Sequence, residues 1–445
     1  MLILLVKIYF IIFIIVLICK FIYSFICLYQ NIKLLRTDCR SDKQSARIII
    51  FMPLLNEALF FKKIIFRFKP IVDKYECIKI VFVTTAREKQ VPAGGKNTIN
   101  LVEDFINKLN GQEIKKFQHI HYPKINTNLA QQLNFALRTI GKVDKNSSVK
   151  TYYGFYNADS NINKKTIESL LCLIKKYPQQ KIFQQSSTFL QNHNELHGLS
   201  GILLRTNGLR QTRWTFLHEI PRYIKNRIDN LFLVHCVTHG FFVEARTMEK
   251  LNFFPTDSFG EDLYFGFIAR ASGYTIKPIP ILETSDTPIT IASMLRQKYV
   301  WFWGPLGYFY YWKRIKKNLP KIWYKNKKII IATTLLGIMD ALNWLLAGWA
   351  FIFFVLSSYL LNKTVIGLFF SLVYLWVPTF LIGIIYNIYT EEKSQKLKLR
   401  QLLICTLIYP LIVFIHGLPP LITIVKYFQL VINPKQYLRP KTENN

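Results

Sequence analysis

A chain of 445 residues is too long for one ordinary hydrophobic core, and with 51% hydrophobic and 15% aromatic residues it is too apolar for an ordinary soluble enzyme. Its 58 lysine and arginine residues against 26 acidic ones give a formal net charge of +32, which favours an anionic membrane surface, an anionic ligand or nucleic acid as partner. Because there is no zinc-finger or helix-turn-helix signature, we expect no nucleic-acid partner, and a codon bias toward lysine and asparagine is an alternative source of part of the charge.

Four apolar blocks are long enough to cross a bilayer, which takes about 20 apolar residues in a helix. The first contains only two charges, Lys7 and Lys20, and exceeds the apolar region of a signal peptide, so we predict a retained N-terminal anchor. The last is interrupted by prolines, which predicts a kinked span or a span followed by an interfacial helix. Asp340 and Asn343 fall within the second block and should face other helices or a polar cavity. The blocks are residues 2–28, 329–361, 365–389 and 402–432.

Basic residues flank the long region between the first two blocks on both sides. By the positive-inside rule, this predicts that the region lies in the cytoplasm. Seven scattered cysteines without a CxxC pair suggest neither a zinc site nor a disulfide framework, and they agree with a reducing cytoplasm. The basic residues are Lys33, Arg36, Arg40, Lys43 and Arg47 on one side and those of residues 313–328 on the other.

Short apolar runs alternate with helical patterns in this region. Strands that alternate with helices indicate βαβ units in a parallel sheet with right-handed crossovers. Ligands of such open sheets bind at the carboxyl ends of the strands. No GxxxxGKS or GxGxxG follows a strand, so a P-loop or dinucleotide fingerprint is unsupported. The predicted strands are residues 47–52, 79–84, 117–122, 152–156 and 241–244.

Polar residues stand where the first and fourth predicted strands end. Asn157 and Asp159 follow the fourth strand, and an aspartate there can hold a divalent cation against a diphosphate. The alternative for Asp159 is a turn former or helix cap. Pro53 ends the first strand, and Asn56 and Glu57 follow where a nucleotide could bind or where a helix could begin.

Two later segments carry candidate functional groups. Glu261 and Asp262 open a predicted helix at residues 263–271, where a carboxylate could act as a general base toward a sugar hydroxyl or simply cap the helix. Residues 294–311 are rich in aromatic side chains and include Gln297 and Trp301. This pattern predicts an amphipathic helix at the membrane surface, a stacking platform for a sugar or nucleotide, or both.

Taken in order, PLLNE at 53–57, NADS at 157–160, GED at 260–262 and QKYVW at 297–301 resemble the motifs of membrane-embedded family 2 glycosyltransferases. This group contains cellulose, hyaluronan, poly-N-acetylglucosamine and related polysaccharide synthases. The resemblance covers most of the chain. It implies an α/β domain of GT-A type, with a mixed, largely parallel sheet, together with transmembrane helices.

The resemblance also implies roles for individual residues. Pro53, Asn56 and Glu57 would lie beside the nucleotide. Asp159 would bind Mg²⁺ or Mn²⁺ on the diphosphate. The usual first aspartate of that motif is Asn157 here, which can still accept a metal bond or hydrogen-bond the nucleotide.

On the acceptor side, the resemblance implies that Asp262 is the catalytic base and that Glu261 supports its placement. His239 and Gly240 resemble the loop that lines the acceptor pocket. The acidic pair usual after the second strand is replaced by Thr84–Thr85, which leaves recognition of the base open.

Gln297 and Trp301 match the first and last members of the family's QxxRW element, which binds the donor diphosphate and borders the acceptor. The arginine of that element is Val300 in this chain. Contact with the diphosphate must therefore come from elsewhere, and Lys298 and Arg296 are the candidates.

The expected function is inverting, metal-dependent transfer of a sugar from a nucleotide sugar, first of all a UDP-sugar, to a growing polysaccharide or lipid-linked glycan at the membrane. The alternatives are a single addition to a polyprenyl phosphate or glycolipid, and a non-catalytic glycan- or nucleotide-binding membrane protein. The expected segments are an N-terminal transmembrane helix (1–28), a cytoplasmic GT-A domain (29–290), interfacial helices (291–328), a C-terminal transmembrane region (329–432) and a tail (433–445).

Overall fold

The computed structural model describes residues 1–37, 39, 41, 46–88, 95–125, 127–141, 149–226, 236–258 and 260–432. The predicted tail at 433–445 lies outside these residues. The elements below are numbered in chain order within them.

The centre of the fold is a sheet in which the described residues form seven strands, in the order β3-β2-β1-β4-β6-β5-β7. β6 runs antiparallel to both of its neighbours, and the other pairs are parallel. The sheet is therefore mixed and largely parallel, as predicted. The strands are β1 Ala46–Pro53, β2 Ile78–Thr85, β3 Phe117–Tyr122, β4 Lys150–Phe155, β5 Ile182–Thr188, β6 Phe241–Glu244 and β7 Ile276–Thr284.

Helices cover both faces of the sheet. A π-helical turn, Thr215–Glu219, joins α6 to α7. The helices around the sheet are α1 Leu2–Leu35, α2 Phe61–Lys74, α3 Thr98–Asn107, α4 Leu129–Thr139, α5 Lys164–Lys176, α6 Gly198–Trp214, α7 Ile220–Lys225, α8 Ala245–Lys250 and α9 Glu261–Ala271. Those that follow the sheet are α10 Ile291–Leu306, α11 Tyr308–Asn318, α12 Pro320–Leu360, α13 Thr364–Tyr389, α14 Leu399–His416 and α15 Leu418–Ile432.

The strand β1 is buried on both faces because it lies near the middle of the sheet. Ile48 and Ile50 pack into one hydrophobic cluster with α2 and α5, and Ile49 and Phe51 pack into another with α4, α8 and α9. This two-sided burial explains why β1 is an unbroken apolar run rather than an alternating one. Its carboxyl end is thereby fixed beside those of β2 and β4.

Four helical segments in the described part of the chain are long and apolar enough to cross a membrane. The first packs against the second, where Phe10 and Phe13 stack on Phe354 with ring centroids 5.3 and 4.5 Å apart. The predicted final block consists of two helices that meet at Gly417. The four segments are Leu2–Leu35, Pro320–Leu360, Thr364–Tyr389 and Lys393–Gln429.

Polar groups within α12 point toward the rest of the protein, which confirms the prediction for Asp340 and Asn343. The Arg222 guanidinium donates to Asp340 with Nη2 2.7 Å from Oδ1, and the Lys20 ammonium donates to Asn343 Oδ1 at 3.4 Å. These bonds connect α12 to α7 and α1.

The prediction of no disulfide is wrong at one pair, because Cys39 and Cys172 are bonded in the structure. They are 133 residues apart in sequence. The segment after α1 packs along α5, where the Ser41 N–H donates to the carbonyl oxygen of Glu168 at 3.2 Å. Tertiary packing, rather than any local spacing, brings the two cysteines together.

Candidate active site

A cavity of about 580 Å³ lies at the carboxyl ends of the parallel strands. Its walls come from the loops after β1, β4, β5 and β7, from the start of α9, and from α6 and α10. Residues of α12 and α14 line it as well. The cavity therefore joins the ligand-binding edge of the sheet to helices that are apolar enough to span a membrane.

The loop after β1 is held by its backbone. Asn56 adopts a left-handed conformation (φ 56°), which asparagine tolerates better than most residues, and its N–H donates to the Glu88 carboxylate at 2.8 Å. The Glu57 N–H donates to the Thr98 hydroxyl at 2.8 Å. As a result Pro53 and Glu57 line the cavity, whereas Asn56 does not.

After β4 the chain turns tightly, and Asn157 and Asp159 both line the cavity. Asp286, which follows β7, lines the same cavity. Burial and the negative charges of Asp286 and Glu283 raise the pKa of Asp159 to about 6. Burial likewise raises the pKa of Asp286 to about 6, although Arg67 opposes this. Acidic groups thus gather at this end of the cavity.

His239 belongs to a buried polar network. Its Nδ1 lies 3.2 Å from Glu283 Oε2 and 2.8 Å from Ser187 Oγ, and the Ser187 hydroxyl donates to Glu283 at 2.9 Å. Burial opposes protonation of His239, but the Glu283 carboxylate outweighs it and raises the pKa to about 9. His239 is therefore a cation at neutral pH, on the wall of an otherwise acidic region.

Gly240 does not line the cavity, and its role is steric. It has a φ of 65°, and a Cβ placed there would lie 2.6 Å from Cβ of Gln185. The Gln184 side chain donates to the His239 carbonyl oxygen at 2.7 Å. Glycine at this position allows the loop to approach β5 and hold His239.

Glu261 and Asp262 form the first turn of α9, and both line the cavity. Glu261 is buried, while Asp262 is partly exposed. The Thr238 N–H donates to Asp262 Oδ2 at 3.3 Å, and the Leu263 N–H donates to Oδ1 at 2.7 Å. The helix dipole favours negative charge at this position.

The aromatic segment after the sheet is two helices, α10 and α11, that meet at Gly307. Gln297 and Trp301 of α10 line the cavity. The Gln211 amide donates to Gln297 at 3.0 Å. The centre of the Trp301 ring lies 6.2 Å from that of the Phe189 ring. A Cβ on Gly260 would lie 2.6 Å from the Gly304 Cα. This close approach packs α10 against the start of α9.

The sequence model described as "Glycosyl transferase family group 2" matches residues 182–416, which is more than half of the chain. The chain belongs to this family. The predicted resemblance to family 2 glycosyltransferases is thereby confirmed, and so is the prediction that the protein is a glycosyltransferase. Comparison with curated proteins gives no match.

Two solved structures are distant relatives in shape. The mannosyltransferase PcManGT from Pyrobaculum calidifontis, solved in complex with GDP-Man and Mn²⁺, has a TM-score of 0.49 and 14% identity over 89% of this chain and 97% of that one. TarS 1–349 from S. aureus has a TM-score of 0.36 and 13% identity over 82% of this chain and 90% of that one. Both scores are low, so the fold assignment rests on this chain's own sheet and on its family.

Family 2 glycosyltransferases are commonly metal dependent, and the acidic end of the cavity is the candidate metal site. Among the described residues, no three His, Cys, Asp or Glu side chains are grouped as metal ligands. Mg²⁺ and Mn²⁺ are often held by only one or two carboxylates together with phosphate oxygens. Asp159 and Asp286 fit that arrangement. The pKa of each carboxylate is raised because the positive charge nearby does not offset the effect of burial.

Most of the predicted site residues of this glycosyltransferase lie around one cavity. Asn56 and Gly240 are the exceptions, and both act through the backbone. Glu283 and Asp286 were missed because the first lies within β7 and the second follows it, and β7 was not predicted. The predicted residues that line the cavity are Pro53, Glu57, Asn157, Asp159, His239, Glu261, Asp262, Gln297 and Trp301.

Of the two basic residues suggested in place of the missing arginine, Lys298 lines the cavity and Arg296 does not. Val300, which occupies the arginine position, is buried and also lines the cavity. Glu219, on the π-helical turn, was missed as well. Burial raises the pKa of Glu219 to about 7, and its Oε1 has no hydrogen-bond partner among the described residues.

Proposed function

We propose that this glycosyltransferase is an inverting, metal-dependent membrane enzyme that moves a sugar from a nucleotide sugar, first of all a UDP-sugar, to a growing polysaccharide or lipid-linked glycan. The observation that carries the proposal is the shared cavity. Asp159 and Asp262, from two distant motifs, line it together with Gln297 and Trp301.

The chemistry needs a base on the acceptor side and relief of negative charge on the leaving diphosphate. Asp262 is the candidate base: its carboxylate takes the proton of the acceptor hydroxyl as that oxygen bonds to the anomeric carbon and the bond to the diphosphate breaks. Asp159 and Asp286 would hold Mg²⁺ or Mn²⁺, whose positive charge stabilises the leaving diphosphate. The transition state has oxocarbenium character, as in glycoside hydrolysis.

The remaining site residues divide between donor and acceptor. On the acceptor side, Glu261 supports the placement of Asp262, and His239, positioned by Gly240, borders the acceptor together with Trp301. For the donor we propose Pro53, Asn56, Glu57, Asn157, Asp159, Gln297 and Trp301, with Asn56 acting by fixing the loop after β1.

For the arrangement in the cell, we propose a membrane protein whose segment 29–290 is the cytoplasmic catalytic domain. The support is the basic flank of that segment on both sides. Segment 291–328 would lie at the membrane surface, between the N-terminal span and the C-terminal membrane region.

A second candidate, the single addition of a sugar to a polyprenyl phosphate or glycolipid, is favoured by the contact of the cavity with α12 and α14. Product length measured on lipid extracts separates this reaction from polymer synthesis. One sugar on the lipid supports the second candidate, and a ladder of products supports the first.

The test of the proposal is nucleotide release by the purified full-length protein in detergent, over a panel of nucleotide sugars with Mg²⁺ or Mn²⁺. We expect release with one donor. Asp262→Asn should lower the rate by about 10²–10⁴-fold, the usual contribution of a general base. The amide oxygen can still accept from the Leu263 N–H, so this hydrogen bond in the first turn of α9 is retained.

The matched control is Asp73→Asn on α2, whose side chain is about half exposed and pairs with Lys69 at the surface. It should leave the rate unchanged. Near-normal release by folded Asp262→Asn protein would rule out the base assignment. No release with any donor from folded protein would point to a missing acceptor or to a non-catalytic binding protein.

A further inference from the structure

The end of the cavity next to the membrane helices is basic. Arg210 of α6, Lys298 of α10 and His416 of α14 all line the cavity. The donor and catalytic residues proposed above do not include them, although the sequence alone made Lys298 a candidate for contact with the donor diphosphate. The three side chains come from three different helices. Their meeting is therefore a product of the tertiary fold rather than of one basic stretch of sequence.

Each of these side chains has a buried nitrogen without a hydrogen-bond partner among the described residues: Nε of Arg210, Nζ of Lys298 and Nδ1 of His416. Lys298 is only 2% exposed, and its ammonium lies 4.8 Å from the centre of the Trp301 ring. A buried ammonium normally has several acceptors, because leaving one without them is costly. The site thus offers donors that the protein itself does not satisfy.

The charges that act on Lys298 and His416 are positive. The positive charge of Arg210 acts on both Lys298 and His416, and that of Lys298 acts on His416. Burial first, and then Arg210, hold the pKa of Lys298 well below its usual range. Arg213 adds a further positive charge beside Arg210. Within the described chain, no carboxylate is among the groups that act on Lys298 or His416.

The surroundings indicate the direction from which a ligand comes. Trp344 and Ala347 of α12 line the same cavity, and the Trp344 ring stacks on His416 with centroids 4.6 Å apart. Phe302 packs edge-on against Trp344 at 5.3 Å. Basic side chains with unpartnered nitrogens beside apolar rings, between helices that are able to span a membrane, suit a molecule with an anionic head and an apolar tail.

We propose that Arg210, Lys298 and His416 bind the phosphate of a membrane-inserted acceptor lipid. This inference rests on the proposed glycosyltransferase function and specifies the chemical class of its acceptor. A phosphate among these side chains would offer acceptors to the unpartnered nitrogens of Arg210 and Lys298, and its negative charge would favour the protonated form of Lys298. The diphosphate of the donor shares this chemistry, so the test must separate the two sources.

The experiment measures binding of three probes to the full-length protein in detergent: a long-chain polyprenyl monophosphate, the uncharged polyprenol of the same length, and UDP. We expect the lipid phosphate to bind at least tenfold more tightly than the polyprenol. Lys298→Gln and Arg210→Gln should reduce that ratio toward one and leave UDP affinity within about twofold. Such losses match a charge-assisted hydrogen bond.

Lys298→Arg retains the charge and should retain most of the preference for lipid phosphate over polyprenol. The control is Lys175→Gln, on the exposed last turn of α5, which should not change this preference. UDP binding shows that each variant is folded. If the variants lose affinity for UDP but keep the preference for lipid phosphate over polyprenol, the basic side chains bind the donor and the proposal is overturned. The proposal is also overturned if Lys298→Gln and Arg210→Gln leave that preference intact. Because only binding is measured, failure here is distinct from failure of the transfer reaction.

Discussion

The ion pair between His239 and Glu283 allows a quantitative test of the electrostatics of the site. Glu283 is fully buried and accepts hydrogen bonds from Ser187 at 2.9 Å and from Ser285 at 3.2 Å. Glu283→Gln keeps the size of the side chain and removes its charge. The variant therefore removes the main cause of the raised pKa of His239, to which Glu219 and Asp159 add less, while it disturbs the packing little.

The expected magnitude follows from the shift in pKa. A rise from the ordinary 6.5 to about 9 corresponds to about 3 kcal/mol, at 1.36 kcal/mol per unit. Because the folded pKa of His239 is raised, this stabilisation is complete below pH 6.5 and is lost as the pH rises through 9. In Glu283→Gln it is absent. The difference in free energy of unfolding between wild type and variant should thus shrink by about 3 kcal/mol between pH 6.5 and 9.5.

The assay is thermal unfolding of the two purified proteins in detergent at a series of pH values. At about 2–4 °C per kcal/mol for a domain of this size, the gap between the midpoints should change by about 6–12 °C. Glu113→Gln breaks an ion pair with Lys69 at the surface and serves as the control, and its effect on the unfolding midpoint should be small because water and salt screen exposed pairs. A gap that does not change with pH would mean that His239 is uncharged, and the reasoning would be refuted.

Two further predictions concern the metal and the location of the domain. With the pKa of Asp159 near 6, protons compete with a divalent cation, so the Mn²⁺ concentration for half-maximal nucleotide release should rise as the pH falls below 6, by up to about tenfold per unit. A requirement independent of pH between 5 and 8 would argue against Asp159 as a ligand. A cytoplasmic domain should keep Cys39 and Cys172 as thiols, which alkylation of intact cells followed by mass spectrometry can detect. Finding the pair bonded in cells would instead place the domain on an oxidising side of the membrane.

Apolar patterns were sufficient to predict most of the sheet, but not two of its strands. The predicted strands correspond to β1, β2, β3, β4 and β6. In contrast, β5 contains Gln184 and Gln185, whose buried amides form tertiary hydrogen bonds, as when Gln184 donates to the His239 carbonyl oxygen at 2.7 Å. β7 contains Pro278 and Pro280, which usually argue against a strand. Neither the sequence of β5 nor that of β7 has the apolar pattern that predicts a buried strand.

The residues of the candidate site were likewise predicted only where the local sequence pattern reveals the element that carries them. Motif order was enough to assemble Asp159, Asp262 and Trp301, because each follows a strand or lies on a helix that local pattern predicts. Asp286 was missed together with the strand it follows. Arg210 and His416 lie on helices whose cavity-facing sides become evident only after packing, since a single basic residue on a helix is usually exposed to solvent.

If the acceptor is the membrane lipid proposed above, the contact of the cavity with both the sheet edge and the membrane helices has a kinetic consequence. A nucleotide sugar dissolved in water is measured in moles per litre, whereas a lipid acceptor is measured by its mole fraction in the membrane or micelle. Adding detergent at a constant bulk concentration of every substrate lowers the mole fraction of the acceptor in the micelles. This should slow the reaction. A rate constant for this protein therefore has meaning only when the composition of the surrounding lipid or detergent phase is stated.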